Sequence, residues 1–304
     1  MSWVRESSWR AIKTMQESDS VSVVIPTYNR RSVIDRALVS VLDQTRPPLE
    51  VVVVDDGSTD GTHEYLIERY QDHPAVRIIK QHRRGVSVAR NCGIRASKSD
   101  WIALLDSDDE WRPRKLEKQL AAIAVQTEFR ICHTDEIWIR RGARVNPKAK
   151  HAKSGGWILS NCLAMCVISP SSVLLHRLLL EEVGLFDEEL PACEDYDLWL
   201  RICSRHPVLY VDEPLVVKYG GHADQLSRTT WGLDRFRIVA LEKLLTNESL
   251  TTAQRTEVQS TLMTKIEIFA AGAAKRGRTD EVERLREKQS FWTRALERVA
   301  EVDG

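Results

Sequence analysis

Residues 21–58 read VSVVIPTYNRRSVIDRALVSVLDQTRPPLEVVVVDDGS, and the fold class turns on how this stretch divides. Val21 to Ile25 is a short β-branched run ended by Pro26. Val33, Ile34, Ala37, Leu38, Val41 and Leu42 then recur at spacings of three and four, the period of an amphipathic helix. Leu49 to Val54 is apolar without polar alternation, as expected of a parallel strand covered on both faces, and it ends in Asp55-Asp56-Gly57-Ser58. The stretch is therefore strand, turn, helix, strand.

Working outward, Asp60 to Tyr70 reads as a helix capped by Ser58 or Thr59. Val76 to Lys80 is a third strand, Val86 to Ala96 a third helix and Trp101 to Leu105 a fourth strand. Such alternation calls for a parallel sheet with right-handed crossovers, so the class is α/β. Pro113 opens an amphipathic helix over 115–125. Beyond it, Arg130 to His133 and Ile137 to Arg140 look like strands with a turn at Arg141-Gly142, and 142–156 is basic and loop-like. Ser169 to His176 resembles a strand, Asp195 to Arg205 a helix, and Val208 to Val211 and Leu215 to Tyr219 short strands. From Trp231 the pattern is helical. Val258, Leu262, Ile266 and Phe269, then Val282, Leu285, Trp292 and Leu296 after Gly277, give a helical hairpin. Three segments follow: 1–19 as an extension, 20–230 as the α/β domain and 231–304 as a helical region.

Composition narrows the function. Of 304 residues, 44 are Lys or Arg and 44 Asp or Glu, a zero net charge that argues against nucleic acid as a partner. No run reaches the roughly 18 apolar residues of a membrane span. Residues 1–19 lack the apolar core of a secretory signal, so the expected location is cytoplasmic, with peripheral contact at the inner face of the membrane as a further option. The six cysteines form no C-x-x-C pair, so free buried thiols are expected rather than a zinc site.

In open α/β sheets, ligands bind beyond the carboxyl ends of the strands, here at 26–29, 55–58 and 106–109. All three segments are polar and two are acidic. In Asp106-Ser107-Asp108-Asp109, carboxylates at i and i+2 of an extended chain share a side and can converge on one hard divalent cation. An acidic turn with helix caps explains the same pattern, and Asp109 is the structural member. Asp55-Asp56-Gly57-Ser58 is equally readable as a turn, or as a carboxylate for a nucleobase or ribose. Pro26-Thr27-Tyr28-Asn29 has no glycine, so neither a G-x-G-x-x-G pyrophosphate loop nor a Walker A motif is present. His63, His73, His82 and His133 show no ligand spacing, and Trp111 and Trp199 read as packing residues.

Five segments carry a resemblance: Val24-Ile25-Pro26-Thr27-Tyr28-Asn29-Arg30, Val53-Val54-Asp55-Asp56-Gly57-Ser58-Thr59-Asp60, Ala89-Arg90-Asn91-Cys92-Gly93-Ile94, Leu105-Asp106-Ser107-Asp108-Asp109 and Glu194-Asp195-Tyr196-Asp197-Leu198-Trp199-Leu200-Arg201. In this order they resemble the family 2 glycosyltransferases with a GT-A fold, a Rossmann-like, mainly parallel central sheet flanked by helices. The resemblance covers about residues 20–230 and leaves the C-terminal helices as an extension.

It implies inverting transfer from a nucleotide diphosphate sugar with a divalent cation, Mn²⁺ or Mg²⁺. Pro26, Thr27 and Tyr28 would line the nucleotide pocket and Asp56 would bond the base. Asp106 would face ribose or metal with Ser107 beside it, and Asp108 would be the principal metal ligand. Asp195 would be the general base, with Glu194 as its nearest competitor. His222, in Gly220-Gly221-His222, would approach the metal or diphosphate. Arg90 or Arg84 could add charge near the diphosphate, and each also reads as a surface or capping arginine. A saccharide, a lipid-linked species or a protein would be the acceptor. The basic stretch Arg140 to Lys153 is a solvated loop or a cover over acceptor or anionic lipid, and the Val282 to Val299 stripe is a packed helix or an oligomer seam. A nucleotidyltransferase and a catalytically inactive nucleotide-sugar-binding module are the rival readings.

Overall fold

The computed structural model describes residues 20–145, 152–221, 230–246 and 249–302, with the side chains of 295–302 left aside. The leading α/β alternation is as the sequence spells it: β1 (Val21–Thr27), α1 (Ile34–Leu42), β2 (Glu50–Asp55), α2 (Thr62–Tyr70), β3 (Val76–Lys80), α3 (Val86–Ala96) and β4 (Trp101–Leu104). There follow β5 (Glu110–Trp111), α4 (Lys115–Val125), β6 (Ile131–Arg140), β7 (Ala143–Val145), α5 (Leu159–Ala164), a 3₁₀ turn (Pro170–Ser172), β8 (Leu174–His176), α6 (Arg177–Val183), α7 (Glu194–Cys203) and β9 (Leu209–Gly220). Helices α8 (Asp234–Leu245), α9 (Thr252–Ala274) and α10 (Thr279–Val302) close the chain.

One curled sheet runs in the order β3-β2-β1-β4-β8-β6-β9-β5, with β7 paired to β6. Its first half is parallel, β1 lying between β2 and β4 with Val24 opposite Val52 and Leu104. From β4 outward the sheet is mixed, because β8 runs antiparallel to both β4 and β6. Side-chain alternation splits the strands between two cores. Val23, Ile25, Val51, Val53 and Ala103 face α1, α2 and α4, whereas Val24, Ile102 and Leu104 face the cluster built on α5 to α9. With both faces covered, the continuous apolar runs of β1 and β2 have their physical reason.

Several sequence expectations change. The two short strands expected at 130–140 are one strand, as are the two at 208–219. Pro214 stands opposite Asp135, where the β6–β9 register shifts. A residue without an N–H interrupts the ladder there, and the apolar pattern breaks although the strand continues. Ser169 to His176 is a 3₁₀ turn followed by a three-residue strand. Neither Ser58 nor Thr59 caps α2. Its N-cap position is Gly61, without a side-chain cap; Asp60 just before it accepts the Thr62 N–H at 3.0 Å, while the Ser58 hydroxyl and N–H turn back to Asp55. Helices α5 and α6 were not foreseen.

Candidate functional site

Three strand ends and the start of α7 converge. At the end of β1, Thr27 is buried and its Oγ1 has no hydrogen-bond partner among the described residues. The Thr27 carbonyl accepts the Asp56 N–H at 2.9 Å, which ties the first two strand ends together. Tyr28 lies beneath Arg83, whose guanidinium is 4.2 Å from the ring centroid. Asp56 is buried and fully engaged: its carboxylate accepts from Gln81 Nε2 at 2.7 Å and from the N–H groups of Arg84 and Gly85 at 2.9 and 2.8 Å. Loop 81–85 thus wraps the β2 end. Gly57, at φ 78°, lets it do so, since a Cβ there would sit 2.9 Å from the Arg83 nitrogen.

Beyond β4, Arg90 of α3 is 4% exposed and bridges two carboxylates, donating from Nη2 to Asp106 at 2.7 Å and from Nη1 to Glu194 at 2.5 Å. This places Arg90 as the tie between the D-x-D segment and α7, with Glu194 committed to that pair. Arg84, by contrast, is exposed and lies 3.7 Å from Glu188. Asp109 is buried as a structural member should be, accepting from Ser171 Oγ at 2.6 Å and the Tyr219 N–H at 3.3 Å, and Ser171 in turn accepts the Asp106 N–H. Trp111 donates to the Ser171 carbonyl at 2.7 Å and is buried, as is Trp199, so both pack.

Electrostatics separates the acidic residues. Burial alone would raise the Asp106 carboxyl, but Arg90 and Lys218 override it and hold the group below the usual carboxylate range. Asp108 is raised, by burial and then by the charge of Asp106, with Arg30 at 4.0 Å and Lys218 opposing the rise. Asp109 is pushed up to about 7, by burial and by its two acidic neighbours against the pull of Lys218. Asp106 and Asp108 are hard oxygen donors two residues apart, set among Arg30, Arg90, Lys218 and Arg36, whose Nη2 donates to the Asp108 carbonyl at 2.6 Å. That donor set fits a divalent cation carried by Asp106 and Asp108. Among the described residues no three Asp, Glu, His or Cys side chains converge, so substrate oxygens and water would complete the shell, as is usual for Mg²⁺. Ser107 is buried between the two aspartates, and His222 lies outside the described residues.

Asp195 opens α7 just after Cys193, a non-glycine residue at φ 61°. Its Oδ1 accepts the Tyr196 N–H at 2.7 Å and its Oδ2 accepts from Cys166 at 3.2 Å. The segment between α6 and α7 is fixed to α3 by a reciprocal pair, Asn91 Nδ2 to the Phe186 carbonyl and the Phe186 N–H to Asn91 Oδ1, at 2.8 and 3.0 Å, and the Phe186 ring meets Trp199 of α7 edge-on. Sequence reasoning missed Lys218, Ser171 and Cys166. Each lies in a strand or loop without a motif, and only the fold brings them to the acidic segments.

A family model described as glycosyl transferase family 2 matches residues 22–157. An uncharacterized glycosyltransferase of Rickettsia prowazekii (strain Madrid E) is 30% identical over 217 residues, covering 70% of this chain and 67% of the relative. The chain belongs to glycosyl transferase family 2. The UDP-Glc:alpha-D-GlcNAc-diphosphoundecaprenol beta-1,3-glucosyltransferase of Escherichia coli is 30% identical to this glycosyltransferase over 61% of this chain and 70% of that one. Three longer Rickettsia relatives are aligned over only 28% to 35% of their length. The crystal structure of S. aureus TarS 1–349 in complex with UDP-GlcNAc superposes with a TM-score of 0.64 at 17% identity, covering 90% of this chain and 92% of that one, so the GT-A fold is shared. The mixed half of the sheet and the helices after residue 231 belong to that common architecture.

Proposed function

We propose that this family 2 glycosyltransferase moves a sugar, with inversion, from a nucleotide diphosphate sugar to an acceptor hydroxyl in the assembly of a polysaccharide or glycoconjugate. The observation that carries the proposal is the Asp106–Arg90–Glu194 bridge, which ties the D-x-D segment to the first turn of α7, the turn that also carries Asp195. Inversion by in-line attack needs a proton acceptor on one side of the anomeric carbon and charge relief for the leaving diphosphate on the other. Asp195 is assigned the first role. Its two bonded oxygens keep lone pairs free for the acceptor's proton.

Asp106 and Asp108, with His222, would hold a divalent cation, Mn²⁺ or Mg²⁺, which when bound neutralises charge on the leaving diphosphate. Pro26, Thr27 and Tyr28 form the nucleotide wall, and the unpartnered Thr27 Oγ1 is a ready donor or acceptor there. Asp56 shapes that wall through loop 81–85, which its carboxylate holds by three hydrogen bonds, and a base contact would use the one lone pair these leave over. The relatives favour a uridine nucleotide as donor and a lipid-linked saccharide as one acceptor class. No helix among the described residues is long and apolar enough to cross a membrane, so a lipid-linked acceptor would be met at the membrane surface.

Nucleoside diphosphate release, measured with a panel of nucleotide sugars and with Mn²⁺, Mg²⁺ or EDTA, tests the reading. Wild type should turn over one donor in a cation-dependent way, and Asp108→Ala and Asp195→Ala should each lose at least about 100-fold. Full activity in both variants sinks the site assignment. Release of pyrophosphate from a nucleoside triphosphate would instead mark a nucleotidyltransferase.

A further inference from the structure

Asp195 is held at both oxygens, and one of the two partners is a cysteine from outside every motif. Cys166 follows α5, and its Sγ lies 3.2 Å from Asp195 Oδ2 and 3.2 Å from the Ile168 carbonyl. A thiol has one proton to give. Of the two acceptors the carboxylate is anionic, and hydrogen bonds to charged acceptors are the stronger ones. We propose that Cys166 is a positioning residue for Asp195: its S–H donates to Oδ2, fixes the carboxylate rotamer and favours the charged, proton-accepting form. The inference rests on the assignment of Asp195 as the general base.

Three further observations support it. Burial, and then the charge of Asp195, push the Cys166 thiol well above the ordinary range, so the sulfur keeps its proton and remains a donor. The backbone around it is anchored, since Tyr196 donates to the Leu163 carbonyl at 2.8 Å and so ties α7 to α5. The neighbouring charges do not substitute for the thiol. Glu194 is paired with Arg90, and Arg237 with Asp234 at 2.9 Å. Cys162 of α5 and Lys218 of β9 face Cys166, and Cys193 precedes the helix. During transfer the acceptor O–H bond breaks and its proton goes to a free lone pair on Asp195. The S–H bond stays intact, so Cys166 takes no part in the proton balance.

The test compares Cys166→Ala, which removes the donor, with Cys166→Ser, which keeps one. A hydrogen bond to the charged form of a carboxylate favours that form, so its loss should move the acidic limb of the pH–kcat/KM profile upward by about 0.5 to 1 pH unit. With the carboxylate no longer held in one rotamer, the rate at neutral pH should fall roughly 10-fold with donor KM unchanged. Serine should restore both limb and rate. A limb that stays in place in Cys166→Ala, whether the rate is kept or falls equally in the alanine and serine variants, overturns the proposal. The contact has its own readout: the S–H stretching band of Cys166, taken from the wild-type minus Cys166→Ala infrared difference spectrum, should move to higher frequency in Asp195→Ala. An unmoved band overturns the hydrogen bond. An Asp195→Ala enzyme that retains transfer activity overturns the base assignment instead.

Discussion

At the scale of single residues, the site depends on one guanidinium. Arg90 and Glu194 keep only 5% and 6% of their side chains exposed, while Asp106 at the outer end of the bridge keeps 25%. Glu194 is already raised by burial, with Arg90 opposing that rise. Arg90→Met would leave Glu194 without its counter-charge and Asp106 with Lys218 alone. The expected loss of stability is about 3–5 kcal/mol, read as a fall in the denaturant midpoint with unchanged slope. Arg90→Lys should recover only part of it, since an ammonium cannot donate to two carboxylates in the planar geometry used here. A loss below about 1 kcal/mol for Arg90→Met would mean that water or rearrangement replaces the bridge. The arginine and both carboxylates are legible in the sequence as candidates, but their pairing is not, because contact across α3, the β4 end and α7 is decided by tertiary packing.

At the scale of elements, α3 shows why some positions accept no side chain at all. Gly93 lies in the middle of this helix, where alanine is the better helix former by about 1 kcal/mol. Packing decides otherwise. A Cβ at this position would stand 2.3 Å from Val24 Cγ1 and 3.3 Å from Val54 Cγ2, both on buried strands with no room to retreat. Gly93→Ala should therefore destabilise by about 1–3 kcal/mol despite its propensity gain, and it should push the Arg90 face of α3 off the sheet, lowering transfer activity too. Adding Val24→Ala makes room. A double-mutant cycle by chemical denaturation should give a favourable coupling of at least about 1 kcal/mol, and strict additivity would show that Gly93 is not a packing glycine. Among the elements that sequence reading recovered, β1 to β4 and α4 are those in which apolar period and buried face coincide most closely. Where they do not coincide the reading stops short. β9 is interrupted by Pro214, and α5 and α6 are too short for a period to register.

At the scale of the whole molecule, the question is whether the helices after residue 231 fold with the catalytic domain or beside it. The sequence shows a change of pattern there, and a change of pattern invites a boundary. The core runs through it: Val24 of β1, Trp199 of α7, Ile238 of α8 and Leu262 and Ile266 of α9 belong to one contiguous cluster. Charge crosses the same line, since Lys243 of α8 bonds both Asp187 and the buried Asp197 of α7, at 2.5 and 2.7 Å. Helix α7 carries Asp195 on its first turn and packs its other face on α8. Leu262→Ala, about 2–5 kcal/mol by cavity formation, tests the coupling, because its consequence differs between the two cases. If the helices are one cooperative unit with the sheet, hydrogen exchange at the slowest amides of α7 accelerates in step with that of α9, and thermal unfolding remains a single transition at lower temperature. If they formed a separate unit, α9 would exchange faster while α7 kept wild-type protection, and two transitions would separate. The shared cluster makes the first outcome the expected one, and with it the C-terminal helices become the support on which α7 and the proposed base Asp195 are held.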